Sequence, residues 1–145
     1  MLSPGREPRD DRIPLVSAPE GRQTAAEVIM TDPDQPRLIA HRKALDAAGL
    51  AIQLALTVPA PLQSIADQIV RSATSVPANI AEGHGRIGRD RRHHWRIAYA
   101  SAKEVDGHLR ILQITGSVAT AKAKQARQLV DEVRAMTWRL LHPGE

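Results

Sequence analysis

The stretch WRIAYASAKEVDGHLRIL, residues 95–112, carries an apolar side chain at alternating intervals of three and four residues. The positions concerned are Trp95, Ala98, Ala102, Val105, Leu109 and Leu112. This spacing places all of them on one face of an α-helix that packs at a small angle to its neighbours. We predict that this helix begins near Asp90, whose charge favours a helix N-terminus, and ends at Gly116.

Three other segments show helical periodicity. They cover about residues 37–57, which Pro59 and Pro61 terminate, residues from 62 to Gly83 or Gly85, and residues 119–141. Their apolar stripes are Leu38, Leu45, Ala48, Ile52 and Leu56; Ile65, Ile69, Val76 and Ile80; and Ala126, Leu129, Val133, Met136 and Leu140. The sequence therefore predicts an all-α protein, an antiparallel up-down-up-down four-helix bundle over residues 37–145.

Residues 1–36 differ from the rest of the chain. They contain six prolines and seven acidic residues against four arginines, a net charge of −3, whereas residues 37–145 have a net charge of +7. Such a segment buries too little apolar surface to offset its ordering entropy, and we predict a flexible tail. A short helix over residues 24–30 is the one element we consider within it.

Composition narrows the class of protein. Hydrophobic residues make up 42% of the 145 residues, aromatic residues 2%, and cysteine is absent. An aliphatic core suits helix packing, and the absence of cysteine excludes disulfides, thiolate metal sites and cysteine nucleophiles. Because no apolar run approaches the length of a membrane span or resembles a secretory signal, we expect a soluble cytoplasmic protein without membrane association.

Pro77 conflicts with the helix predicted around it, since proline removes the amide that would bond the carbonyl of Ala73. Two outcomes are open: the helix kinks, or Ser75 and Asn79 satisfy the freed backbone groups. Because local rules tend to fail at positions with a special role, residues 75–83 merit attention.

The segment QIVRSATSVPANIAEG, residues 68–83, resembles the signature of a bacterial family of four-helix bundle proteins encoded in intervening sequences of 23S ribosomal RNA genes. Its approximate form is R-x-A-x-S-I/V-P-x-N-I-A-E-G, followed by a Gly/Ser-Ser-x-x-E element on the third helix. Residues 100–105, ASAKEV, correspond to that element, with Ala100 where glycine is commoner. The resemblance covers about residues 38–141.

The resemblance implies a four-helix bundle that assembles as a homopentamer. A related branch, the accessory variability determinant of diversity-generating retroelements, is a basic pentamer that binds reverse transcriptase and nucleic acid. The present sequence departs from the family pattern in having few aromatic residues in its first and third helices and a longer proline-rich head.

Six polar residues around the signature invite two interpretations. Glu82 and Glu104 could act as a catalytic acid and base, with His108 nearby. Alternatively, the group forms a structural polar network in which Arg71 pairs with the carboxylates and helix register is fixed. No substrate-positioning group is visible, and we favour the structural network and a non-enzymatic protein. Its members are Arg71, Ser75, Asn79, Glu82, Ser101 and Glu104.

Two further motifs are interpreted as structural. Residues 83–88 match G-x-G-x-x-G, but a dinucleotide site requires this run after a strand, and here it follows a helix. Glu104 and His108 have a metal-ligand spacing, yet the paired Glu-x-x-His elements of di-iron bundles are missing. We predict neither metal nor cofactor.

Basic clusters indicate the function. The first surrounds the turn between the second and third helices, beside His84, His93 and His94; the second begins the fourth helix, at the opposite end of an antiparallel bundle. The paired N–H donors of an arginine guanidinium match the oxygens of a phosphate, and backbone amides at a helix N-terminus also attract anions. The residues predicted to bind nucleic acid are Arg86, Arg89, Arg91, Arg92 and Arg96, followed by Lys122, Lys124 and Arg127.

We therefore predict an accessory protein that binds RNA or DNA by its backbone and shape, as a homo-oligomer and together with a reverse transcriptase if it follows the retroelement branch. Trp95 is assigned to the core rather than to base stacking. The alternative is an oligomeric protein–protein scaffold without nucleic-acid binding.

Overall fold

The computed structural model describes residues 35–145, and side chains from Pro36 onwards. Within this range the chain forms four long helices and no strand: α1 (Gln35–Ala55), α2 (Gln63–His84), α3 (Gly88–Ile114) and α4 (Thr120–Leu141). A single 3-10 turn, Ala60–Leu62, joins α1 to α2. The predicted all-α class and helix positions are confirmed to within about two residues at most ends.

The helices close around one apolar core. Each of α1, α2 and α3 packs against the next helix in the chain, and α4 packs against both α3 and α1. The predicted α3 stripe is confirmed, because Trp95, Ala98, Ala102, Val105, Leu109 and Leu112 are all buried. In α4 the predicted core positions Ala126 and Val133 are buried, whereas Leu129, Met136 and Leu140 are half-buried and Val130 is buried instead.

Side-chain contacts show the direction in which α2 and α3 run. Asn79 of α2 contacts His94 near the start of α3, whereas Ser75, one turn earlier in α2, contacts Ser101, two turns later in α3. As the residue number decreases along α2, the residue number of the contacting partner increases along α3. The two helices therefore run in opposite directions. The three-residue connection from Gly85 to Ile87 allows nothing else for helices this long.

The buried face of α1 is the largest correction to the sequence analysis. Alanines form it, including Ala40, Ala44 and Ala51, each with no exposed surface. The predicted core residues Leu38, Leu45 and Leu56 are instead 49%, 51% and 78% exposed. Alanines allow neighbouring helices to approach closely, and Leu54 is a large side chain that this face also buries. The face that carries the three exposed leucines therefore turns outward. We call Leu38, Leu45 and Leu56 the leucine stripe; Ile52, on the same face, is half-buried.

Pro77 lies within α2 and is buried, and the helix continues through it. The Asn79 amide donates to the Ser75 carbonyl at 2.9 Å and to the Ser75 hydroxyl at 3.1 Å. The carbonyl of Ala73, which loses its usual donor at Pro77, is not the acceptor of either bond. Rescue of the freed carbonyl by Ser75 or Asn79, one of the two outcomes considered, is therefore not observed, and Asn79 bonds to Ser75 instead.

Glycines end two helices in different ways. Gly116 has a φ of 68° and follows α3, and the Ser117 amide donates to the Leu112 carbonyl at 3.0 Å, which is the Schellman closure. Gly85 caps α2 with a φ of −76°, which is not the left-handed conformation that many helix-ending glycines adopt.

Among residues 35–145, no helix combines the length and apolar character that crossing a bilayer requires. The helix considered over residues 24–30 and nearly all of the predicted tail lie outside the described residues. The bundle itself begins slightly earlier than predicted, at Gln35.

Candidate nucleic-acid interface

The turn between α2 and α3 fixes two of the five clustered arginines. Arg86 donates through Nε to Glu82 at 2.9 Å and through Nη1 to Asp90 at 2.6 Å, so it bridges the last turn of α2 and the first turn of α3. Its charge is neutralised by two carboxylates. Arg86 was predicted to bind phosphate, and its two ion pairs would compete with a phosphate for the guanidinium.

The same ion pairs shift the acidity of all three groups. The hydrogen bond from Arg86 is the main cause that lowers the pKa of the Glu82 carboxyl below its ordinary value of 4.5. It likewise lowers the pKa of Asp90 below 3.8. The hydrogen bonds to Asp90 and Glu82 in turn raise the pKa of Arg86 above its ordinary value. A carboxyl made more acidic is a poorer proton donor near neutral pH, which weakens the catalytic interpretation of Glu82.

Arg91 closes the end of α2. Its Nε donates to the Gly83 carbonyl at 3.1 Å and its Nη2 to the His84 carbonyl at 3.4 Å, which satisfies carbonyls that a helix end leaves without donors. Its guanidinium also lies 5.6 Å from the centre of the Trp95 ring. Arg91 therefore has a structural role, and these hydrogen bonds would compete with the phosphate contact predicted for it.

The close contact between the end of α2 and the start of α3 explains why position 83 is a glycine. A Cβ at this position would lie 2.5 Å from Nε1 and 2.6 Å from Cδ1 of Trp95, so only glycine lets the indole reach the helix. Trp95 is 4% exposed and its Nε1 donates to the Ile80 carbonyl at 3.4 Å. The G-x-G-x-x-G run thus contains a packing glycine, and the assignment of Trp95 to the core is confirmed.

The remaining three arginines of the cluster form a ridge. Arg89, Arg92 and Arg96 are exposed and recur at intervals of three and four along α3, so they share its outer face. None of them forms a hydrogen bond or an ion pair with another residue in the range 35–145. We call Arg89, Arg92 and Arg96 the arginine ridge.

The second basic group, at the start of α4, likewise contains one arginine that is already paired and two lysines that are not paired with any described residue. Arg127 donates to Asp106 at 3.0 Å and to Gln113 at 3.0 Å, and it ties α4 to α3. Lys122 and Lys124 are exposed, with no ion pair to the described residues. They lie beyond the far end of α3, roughly 30 Å along the helix from the arginine ridge at 1.5 Å per residue. The two groups therefore do not form one continuous surface on a single chain.

The predicted polar network is present only in part. Ser101 donates to the Ser75 hydroxyl at 3.0 Å, and Asn79 joins Ser75 to His94, whose Nδ1 lies 3.0 Å from the Asn79 Oδ1. Because the Asn79 amide nitrogen already donates to Ser75, its oxygen accepts, and His94 Nδ1 carries the proton. His94 was missed because the sequence does not show that position 94 faces α2.

The charged members stand outside this network. Glu82 pairs with Arg86, whereas Arg71 and Glu104 are exposed and form no ion pair with any described residue. Arg71 lies two residues from the buried Ile69, about 200° around the helix, and so faces away from the core. The expected pairing of Arg71 with the carboxylates is wrong.

An aromatic cluster on the outer surface of α3 and α4 was also missed. Trp138 is 45% exposed, its ring stacks on His142 at 3.7 Å between centroids, and it lies 5.7 Å from the Tyr99 ring. Lys103 lies 5.9 Å from the centre of the Tyr99 ring. We call Tyr99, Trp138 and His142 the aromatic cluster. Trp138 and His142 are one helical turn apart, but Tyr99 lies on a different helix, so the sequence gives no local signal that all three are close.

Histidine and acidic residues offer no metal centre within residues 35–145, because no three of them are grouped there. His108 has a buried Nδ1 without a hydrogen-bond partner in the same range. It therefore forms no hydrogen bond through that atom with Glu104, the residue one turn before it.

Comparison with protein families gives a match over most of the bundle. A family model described as 23S rRNA-intervening sequence protein matches residues 37–139, a span that runs from near the start of α1 almost to the end of α4. No curated protein matches the sequence significantly.

Proposed function

The chain belongs to the family of 23S rRNA-intervening sequence proteins, and from this premise we propose that it is a non-enzymatic accessory protein that binds RNA or DNA. The arginine ridge holds the phosphate backbone in this proposal. Lys122 and Lys124 supply a second, separate contact for a longer nucleic acid. Recognition is by backbone charge rather than by base sequence.

One observation carries the proposal: three exposed arginines share one helix face while the acids nearest in sequence, Glu82 and Asp90, are already paired with Arg86. A guanidinium group in solvent offers forked donors that fit phosphate oxygens. Because the local carboxylates are occupied, they oppose a bound polyanion less than free carboxylates would.

Assembly strengthens this interface in the proposal. The leucine stripe places large apolar side chains on the surface, at a cost in solvation that a second copy of the chain would remove. A homo-oligomer, a pentamer if it follows the resemblance, repeats the arginine ridge once per subunit. Several weak phosphate sites on one rigid body bind a long polyanion far more tightly than one.

The second candidate is a scaffold for another protein, a reverse transcriptase in the retroelement branch. The leucine stripe favours it, because apolar side chains attract a protein surface and not a phosphate backbone. In that case the partner, rather than nucleic acid, would contact α1.

The test of the main proposal compares two triple variants of the full chain. Replacing Arg89, Arg92 and Arg96 with alanine removes the ridge, and replacing Arg86, Arg110 and Arg134 removes three arginines that are already ion-paired. Fluorescence anisotropy with labelled RNA and DNA is measured across a salt titration. We expect the ridge variant to bind far more weakly and its log–log salt slope to fall by about 2 to 3, roughly 0.7 to 0.9 for each phosphate that is no longer neutralised.

The ion-paired triple variant has the same net charge as the ridge variant, and it should keep a salt slope near that of the wild type. Equal reductions in the two variants would mean that only net charge matters. Unchanged binding in the ridge variant, or no binding by the wild type, would refute the proposal.

A further inference from the structure

The aromatic cluster lies beside the arginine ridge. Arg92, Arg96, Tyr99 and Lys103 follow one another on α3 at intervals of four, three and four residues, so they line a single stripe of the helix. Tyr99, within this stripe, contacts Trp138 on α4 at 5.7 Å. Cationic and aromatic side chains therefore share one continuous surface.

Trp138 is placed differently from a core tryptophan. Nearly half of it is exposed, against 4% for Trp95. Its ring is held by stacking on His142 at 3.7 Å with 25° between the ring planes. The Nδ1 of His142 in turn donates to the Trp138 carbonyl at 3.0 Å, which fixes the orientation of the imidazole.

Phosphate binding does not account for these rings. Duplex nucleic acid presents its backbone outward and keeps its bases stacked inside, so an aromatic surface gains little from it. Unpaired bases stack on aromatic rings, and each contributes about 1–3 kcal/mol. A basic groove with interleaved aromatic side chains is the arrangement that single-stranded nucleic acid requires.

We infer that the aromatic cluster is a stacking platform for unpaired bases, and that the ligand of the protein is single-stranded nucleic acid. Trp138 supplies the main ring surface, and Tyr99 and His142 support it. Arg92, Arg96 and Lys103 hold the phosphates on either side. The inference rests on the proposed function, because it names the class of nucleic acid that the same surface binds.

The test uses the full chain with two labelled probes, a single-stranded oligouridylate and an RNA duplex of equal charge. Trp138→Leu should weaken binding of the oligouridylate about tenfold, since removal of one stack of about 1.4 kcal/mol corresponds to that factor. Binding of the duplex should change by less than about twofold. Trp138→Phe should restore part of the affinity because it keeps a ring. Ile114→Leu, a change at an 85% exposed apolar residue near the other end of α3, should alter neither.

A second measurement follows the ring directly. The chain has two tryptophans, and stacking of a base should quench the emission of Trp138 but not of the buried Trp95. The wild type should therefore lose emission as oligouridylate binds, and Trp138→Leu should not.

The outcomes separate this inference from the proposed function. If Trp138→Leu binds both probes as the wild type does, or weakens both equally, the platform is refuted while phosphate binding by the ridge stands. If sedimentation shows that Trp138→Leu dissociates an oligomer, the cluster is a subunit contact and the platform is again wrong. If the wild type binds neither probe, both ideas fail.

Discussion

At the scale of single residues, ion pairing decides which arginines are available to a ligand. Arg86 and the ridge residue Arg89 are three positions apart, both are exposed, and their side chains are chemically identical. Only Arg86 lies within reach of two carboxylates, at i−4 and i+4. Arg86 therefore stabilises the junction of α2 and α3. Its removal should lower the stability of the fold and leave the affinity for nucleic acid little changed.

Replacement of Arg86 by alanine should raise the carboxyl pKa values of Glu82 and Asp90 toward their ordinary values, 4.5 and 3.8. Because both carboxyls have depressed pKa values in the folded protein, their pairing stabilises the fold above the unfolded values and is lost as pH falls through the folded ones. The variant should thus have a lower melting temperature than the wild type near neutral pH. This difference should disappear in strong acid. Carboxyl NMR titration and thermal melts measure both effects.

Arg89→Ala, a single change in the arginine ridge, is the matched control. Its difference in melting temperature from the wild type should not depend on pH. A gap that persists after both carboxyls are protonated would show that Arg86 acts through packing and not through its ion pairs.

The sequence could predict the positions of the clustered arginines but not their partners. Spacing alone places Glu82, Arg86 and Asp90 within reach of one another on a continuous helix, yet the chain leaves the helix between them. Whether the pairs survive that turn depends on its geometry. The partners of Arg91 are harder still to predict, because its acceptors are backbone carbonyls and every residue has one. Tertiary geometry, not residue type, divides the cluster.

At the scale of the element, α1 shows where a periodicity argument fails. Its alanine face and its leucine face both recur at helical intervals, and hydrophobicity alone ranks the leucines as the core. The bundle buries the alanines because their small side chains permit close approach of α2 and α4. In α3 the same reasoning succeeded, since the apolar stripe recurs from Trp95 to Leu112 and most other positions are charged or polar.

The inversion of α1 can be tested by introducing leucine on each of its faces. Ala44→Leu places a large side chain at a position with no exposed surface, and we expect it to destabilise the fold by about 1–3 kcal/mol through overpacking. Gln53→Leu makes the same kind of change at an exposed position and should cost less than about 0.5 kcal/mol. Urea unfolding measures both. Equal costs would contradict the observed orientation of the helix.

At the scale of the whole molecule, the leucine stripe is the feature that a single chain does not explain. The bundle already buries a complete set of small side chains on the opposite face of α1, so these leucines add nothing to the core of one subunit. Large apolar side chains arranged in register on a surface are typical of subunit contacts. The homopentamer that the sequence resemblance implies would require such a contact.

Leu45→Glu places a charge in the middle of the leucine stripe, where Leu45 is 51% exposed. Within one subunit the glutamate stays in solvent, and helix content and melting temperature should change little. In an assembly the charge would be buried against an apolar surface, at a cost that separates the subunits. Sedimentation velocity should therefore show an oligomer for the wild type and a monomer for the variant.

The consequence for binding follows from multivalency. A long single-stranded RNA that contacts several subunits should bind the monomeric variant at least about tenfold more weakly, whereas an oligonucleotide that reaches one ridge should bind both proteins alike. Ile114→Glu introduces the same charge at an apolar residue of α3 that is 85% exposed, and it should leave both the assembly and the binding unchanged. If Leu45→Glu remains oligomeric, or if the wild type is a monomer, the leucine stripe is not a subunit contact, and its apolar surface belongs instead to a protein partner.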